Sequence, residues 1–378
     1  MESLLMTKQF VTLQHLGALS AVALLGVSGT ASAIEAEISG HVNRAIMAYE
    51  DGEDSQTAFV DNETSNSRMR FRGSGEIMQG VNAGVYGEWE IVSTNSSEVT
   101  IDTTSSSNSE FQVNKRHLDA FVEGGFGKVS LGQGDGAANG IAEIDLSGTS
   151  LINYAGATDI GGSIAFQEGG QPFTANGAVG QARIRDTYSQ FDFESRFDRV
   201  RYDTPSVGPF DFAIATGTKS DDDDTTDAAV RYGATYANGA QIAAGLGYSA
   251  RSRGGDTGTV ETFGGSASLL LANGLNVTLL YTQREDDADL DADTLWGKVG
   301  YKVGHHAVAV DVGQTNDLLG GGAFDSESTV YGIGYTYTPV NWAEFYAGVK
   351  QHQLDVSLAS VSDPDDINIA TVGTRLKF

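Results

Sequence analysis

From Glu35 to Phe378 the chain alternates apolar and polar residues with a period of two. The joints between the alternating segments are of two kinds, and those kinds themselves alternate. One kind is tight: Gln79-Gly80, Gly124–Gly127, Pro205–Gly208, Asn238-Gly239, Asn273-Gly274, Gly304-His305 and Pro339–Asn341. The other is long, polar and acidic: 50–65, 94–110, 135–186, 219–226, 251–258, 286–292, 316–327 and 353–366. Period two is the strand period. Short turns at one end and long loops at the other is the layout of a barrel that crosses an outer membrane, with apolar side chains on lipid and polar ones lining water. A soluble sandwich does not sort its turns so regularly. Closure also removes the open edges of the sheet.

The alternation predicts sixteen antiparallel strands: 36–49, 66–78, 80–93, 111–123, 127–134, 187–204, 209–218, 227–237, 239–250, 259–271, 275–285, 293–303, 306–315, 328–338, 342–352 and 367–378. In 80–93, Val81, Ala83, Val85, Trp89 and Ile91 share one face, and Asn82, Tyr86, Glu88 and Glu90 the other. Leu275, Val277, Leu279 and Tyr281 repeat the pattern, as do Tyr331, Ile333, Tyr335 and Tyr337. The first strand is ambiguous, because Arg44 shares parity with Ile46. Tyr49, Phe111, Tyr236, Tyr248, Tyr281, Tyr301, Tyr337 and Phe345 lie near strand ends, where aromatic girdles form. The expected fold is all-β: one domain, 34–378, forming a transmembrane barrel with long external loops and short periplasmic turns.

Residues 1–33 read as a cleavable export signal. Lys8 precedes an apolar run from Leu16 to Val27, and small residues follow to Ala31-Ser32-Ala33. That run is shorter than the roughly 20 residues a spanning helix needs. The chain has no Cys, which removes disulfides and thiolate chemistry. Its formal net charge of −27 argues against nucleic acid as a partner, since phosphates are held by Lys and Arg.

The 135–186 gap is far longer than the others, and long loops in compact domains are usually functional. Between Val129 and Ala182 it holds no Lys or Arg but five acids: Asp135, Glu143, Asp145, Asp159 and Glu168. Flanking strands carry arginines on their polar faces: Arg68, Arg70 and Arg72 on one, Arg199 and Arg201 on another, with Arg44 and Arg116 as further candidates. Facing charges of opposite sign across a narrow opening select ions by sign and size.

Other chemistry is weakly signalled. Asp289, Asp291 and Asp293 alternate like the start of a calcium loop, but the expected Gly and closing Glu are missing. His305-His306 lacks metal-type spacing, and His117 with Asp119 lacks a nucleophile motif. No catalytic residue, metal site or cofactor is expected.

Three stretches resemble the general porins of Gram-negative outer membranes, in particular the sixteen-stranded proteobacterial family. Phe121-Val122-Glu123-Gly124-Gly125-Phe126-Gly127-Lys128-Val129-Ser130-Leu131-Gly132 is similar to the strand-turn-strand ahead of that family's third loop. Asp198-Arg199-Val200-Arg201-Tyr202-Asp203-Thr204-Pro205 is similar to the strand after it. The terminal Phe378, with Leu376 and Val372, resembles the family's assembly signal. The resemblance implies a homotrimer of water-filled pores in lipid and lipopolysaccharide. It also implies that 135–186 folds inward to narrow each pore, with Asp135, Glu143, Asp145 and Asp159 facing Arg68, Arg70, Arg72, Arg199 and Arg201. Leu118 stands where the family usually has an Arg, with Arg116 or Lys115 as substitutes.

The expected function is passive diffusion of ions and small hydrophilic solutes through the outer membrane, with a preference for cations. A substrate-specific channel and an outer-membrane barrel enzyme are the alternatives. Saturable block by a solute would mark the first; a plugged lumen with hydrolytic activity would mark the second.

Overall fold

The structure, a computed structural model, describes residues 34–102, 111–220, 223–254, 258–287, 290–320, 324–359 and 361–378. The expected export signal, Asp221, Asp222 and Asp289 lie outside the described residues.

Sixteen staves close into one antiparallel barrel. They are β1 (Glu35–Glu50), β2 (Arg68–Met78), β3 (Val81–Val92), β4 (Gln112–Gly124), β5 (Gly127–Asp135), β6 (Arg196–Asp203), β7 (Phe210–Ser220) and β8 (Asp223–Thr235). Then come β9 (Gln241–Ser252), β10 (Thr259–Leu270), β11 (Leu275–Asp286), β12 (Asp291–Val303), β13 (His306–Asn316), β14 (Asp325–Val340), β15 (Ala343–Ser357) and β16 (Ile367–Lys377). Each pairs with its sequence neighbour. β16 returns to β1 from His41 opposite Lys377 to Glu50 opposite Asn368.

One stave is split. A short strand, Ser55–Asp61, pairs with the outer half of β1, while β2 pairs with its inner half. Between them residues 62–67 turn into the lumen. There the ring of His41 meets the Asn66 carbonyl at 2.9 Å, and Asn43 donates to the Ser65 carbonyl at 2.9 Å. The chain just past the end of β3 fills the gap: the Asp61 amide donates to the Thr94 carbonyl, and the Ser96 amide to the Asp61 carbonyl.

The barrel is inside-out, as the alternation requires. Ile38, Val42 and Ile46 of β1 are exposed outward, as are Val308, Val310 and Val312 of β13, whereas Asn43, Thr278 and Thr294 are buried inward. Phe210, Tyr236, Tyr301 and Trp342 are exposed outward near strand ends, and Phe263 and Tyr281 farther along their strands. Tyr49 corrects the girdle expectation. It lies on the inward parity of β1, is buried, and donates its hydroxyl to the Thr100 carbonyl at 2.9 Å.

A further correction concerns 187–204. Only Arg196–Asp203 of that stretch is strand, so the long loop runs from 136 to 195. Phe191, Phe193 and Ser195 alternate with polar residues as strand residues would, but their φ angles are 46°, 53° and 56°. A backbone in that left-handed region does not extend into a sheet.

Candidate functional site

The loop 136–195 lies inside the barrel and is docked by the wall at many points. Asp227 of β8 accepts the amides of Ala137 and Ala138 at 2.9 and 3.1 Å. Ser266 and Ser268 of β10 accept those of Ile144 and Leu146 at 3.1 and 3.0 Å. Asn153 reaches Asp311 of β13, and Thr282 of β11 donates to the Gln190 carbonyl at 3.0 Å. Glycines let the loop come close. A Cβ on Gly334 or Gly348 would stand 2.7 or 2.5 Å from Ile152. Gly334→Val should therefore lift the loop from β14, read as a changed single-channel conductance against an unchanged strand content by circular dichroism.

On this side the lumen is dry. Leu151, Ile152, Ile160, Ile164, Phe166, Phe173 and Ile184 of the loop pack with Met47 and Tyr49 of β1, Tyr346 of β15 and Ile367 and Ile369 of β16. Water is left to the opposite side, in a space of about 660 Å³ against β2, β3 and β4.

Arg68, Arg70, Arg116 and Arg196 line one part of that space. Glu143, Asp159 and Asp192 enter it from the loop, and Glu63 from the inward turn 62–67. Glu88 ties the arginines together, accepting from Arg68 at 3.2 Å and from Arg70 and Arg116 at 2.6 Å each. Asp135 stands 3.3 Å from His117 and 3.7 Å from Arg196. Tyr154 donates to Asp159. Asp192 accepts the amides of Gly140 and Ala142 at 2.8 and 3.1 Å.

Enclosure and mutual repulsion hold protons on the loop acids. Burial, then Asp159 and Glu90, push Glu63 up to about 7. Burial pushes Asp159 up to about 6, against the pull of the Tyr154 hydroxyl and of Lys350, Arg116 and Arg196. Burial and the charges of Asp192 and Asp159 raise Glu143 well above the usual carboxylate range. Burial raises Asp192 too, although two amides oppose it.

Of the nine residues expected here, Arg68, Arg70, Asp135, Glu143 and Asp159 come together. The other four go elsewhere. Arg72 pairs with Glu123 at 3.1 Å and lies over the Phe121 ring. Arg199 is buried, bonded to Asp119 at 2.7 Å and to the carbonyls of Gly132 and Asp135. Arg201 pairs with Asp203 at 2.6 Å and holds the Gly136 carbonyl at 2.7 Å. These two fasten the root of the loop rather than face its acids. Asp145 points away from the arginines to Lys298 of β12, at 2.6 Å.

Arg116, Arg196, Glu63, Glu88 and Asp192 complete the space. Arg116 is turned inward by a bulge: Glu88 pairs with His117 and Trp89 with Lys115, so Arg116 is skipped. Two consecutive side chains then face the lumen, which simple alternation forbids. Among the described residues no cluster of His, Asp or Glu is arranged to hold a metal ion.

No curated protein sequence matches the chain significantly. Solved structures do. An anion-selective porin from Comamonas acidovorans superposes with a TM-score of 0.62 at 17% identity, over 92% of this chain and 100% of that one. The loop L8 deletion mutant of OmpT, an outer membrane protein of Vibrio cholerae, gives 0.59 at 15% identity, over 92% and 100%. OmpF of Salmonella typhi, in a complex with daunomycin, gives 0.57 at 13% identity, over 91% and 97%. These agree on the fold. The sequence profile of the Gram-negative porins matches residues 18–356, most of the chain, and the chain therefore belongs to the Gram-negative porin family of outer-membrane channels.

Proposed function

We propose that the protein is a passive channel for ions and small hydrophilic solutes that prefers cations. The observation that carries this reading is the charged space between the loop and β2–β4. Four arginines line it (Arg68, Arg70, Arg116, Arg196) against six carboxylates: Glu63, Glu88, Asp135, Glu143, Asp159 and Asp192. At a pH above the raised values of the loop acids all six are ionised and the balance is negative, as is the whole chain at −27. Arrays of charge at a narrowing favour the counter-ion. In this reading Asp135, Glu143 and Asp159 with Arg68 and Arg70 act at the constriction. Arg72, Arg199, Arg201 and Asp145 act only on the vestibule or on loop position. Residues 1–33 direct export and are removed.

The test is a reversal potential across a planar bilayer in a potassium chloride gradient. The expected sign is cation preference, and clear anion preference would sink the reading. Arg70→Gln should move the potential further toward cations, because a third of that side chain stays exposed beyond its contact with Glu88. An unmoved potential would remove Arg70 from the ion path.

The same reading makes the channel a homotrimer. Arg44 lies midway along β1 on the outward parity of Val42 and Ile46, is 41% exposed, and pairs with Asp61 at 2.6 Å. A charge there is costly against hydrocarbon and calls for a protein cover. The solved OmpT of Vibrio cholerae is described in a trimer form. The remaining outward face meets lipid, and the acidic external loops meet lipopolysaccharide.

A further inference from the structure

We propose that Glu88 sets both the charge and the aim of the basic wall, and so is the residue on which ion preference turns; the proposal rests on the channel reading above. Glu88 lies on the lumen face of β3, between β2 and β4, with 4% of its side chain exposed. Its carboxylate takes Arg68 Nη1 at 3.2 Å, Arg70 Nε at 2.6 Å, Arg116 Nε at 2.6 Å and the Tyr86 hydroxyl at 3.2 Å. Three guanidinium groups from two flanking strands converge on one anion.

Like charges this close repel, and without an anion among them the side chains would splay into the water. Charge-assisted contacts to a carboxylate hold each guanidinium in a fixed plane. Glu88 also removes one unit from the wall, leaving a net charge of two on the four groups. The bulge in β4 is a separate observation pointing the same way. It falls opposite Glu88, and its effect is to turn Arg116 inward onto that carboxylate. Bulges re-aim side chains at such places. Arg68 spends its other contacts on Asn66, and Arg116 reaches Glu90 at 3.3 Å. Arg70 thus remains the arginine most open to a passing ion.

The experiment is a set of reversal potentials for reconstituted channels. Glu88→Gln keeps the shape and removes the charge. It should lower the cation-to-anion permeability ratio about two- to three-fold, the opposite effects on the two ion signs of one unit charge about 7 Å away across water screened by salt. Arg116→Gln should raise the ratio, and Glu88→Gln/Arg116→Gln should return it close to the wild-type value. Glu88→Asp should keep the wild-type sign. A purely structural Glu88 would weaken the barrel in all Glu88 variants without this ordered reversal. A conducting Glu88→Gln channel with the wild-type potential overturns the proposal, as does a double variant that behaves like Glu88→Gln alone. If Glu88→Gln does not assemble, the double variant is compared with Arg116→Gln. A lower ratio in the double supports the proposal and an equal ratio overturns it. Failure of the wild-type protein to conduct would instead strike the channel reading itself.

Discussion

Lys298→Met is expected to destabilise the protein by about 3–5 kcal/mol, the cost of leaving one member of a buried ion pair alone. Lys298 is fully buried, and Asp145 is 5% exposed. The ammonium donates to Asp145 at 2.6 Å and to the Asn153 carbonyl at 2.8 Å. Asp145 in turn accepts the Ser147 amide at 2.8 Å and the Ser147 hydroxyl at 2.9 Å. Methionine keeps the apolar stem in its place and deletes the charge. The stranded carboxylate must then protonate or reach water, and water lies on the other side of the loop. The segment around 145–153 should leave β12, with unsteady single-channel current as the electrical sign. Denaturant unfolding in detergent measures the loss. The apolar pair Lys298→Met/Asp145→Leu should recover most of it, since replacing both partners of a buried pair is often neutral. Wild-type stability in Lys298→Met would show that Asp145 is not held there.

The second large effect is in pH. Between about pH 8 and pH 5 the ion preference should pass from cations to anions. Glu63 takes up its proton near 7 and Asp159 and Asp192 near 6, while burial and the charges of Asp192 and Asp159 keep Glu143 raised. The arginines keep their charge throughout. At the acid end Glu88 and Asp135 face four guanidinium groups, so the balance is positive. The change is not a release of the loop. A carboxylate whose pKa is raised on folding binds more protons in the folded state, so its contribution to stability grows as pH falls through the folded pKa. Docking is therefore firmer at pH 5 than at pH 8, and the shift is one of charge alone. Reversal potentials at pH 8, 6.5 and 5 would show it, and Glu63→Gln should remove the part nearest neutrality. A flat profile would mean that the loop acids are ionised throughout or away from the ion path.

Most of the barrel was legible because a lipid-facing strand must alternate and a tight turn must carry Gly, Pro or Asn. Parity alone placed Arg68, Arg70 and Glu88 on the polar face. It failed where the backbone leaves the strand period. Arg116 stood only as a further candidate, because the bulge that turns it inward is announced by no residue type. Phe191 and Phe193 mimic a strand while adopting left-handed φ. The side of the loop on which Asp145 or Asp159 falls depends on wall groups distant in sequence, Lys298 among them. Charge counting could find the acids but not their direction. Glu63 had a sequence trace: the polar run Asn62–Ser67 is too hydrophilic for a stave.

The dry side of the lumen bears on assembly. Its apolar contacts join the loop to β1 and to β15 and β16, the first and last strands to be made. Tyr346 reaches Asn43 across 303 residues, and Arg375 reaches Ser65 across 310. Contacts of such separation form late, because the ends must meet before they are rewarded. The loop core thus cannot consolidate in a half-built sheet. It comes together as the seam between β1 and β16 closes, and it then bridges that seam from within. In a nascent barrel the loop would rest on inner staves such as β8, β10 and β11, and its full narrowing of the bore would come only as the last strand takes its place.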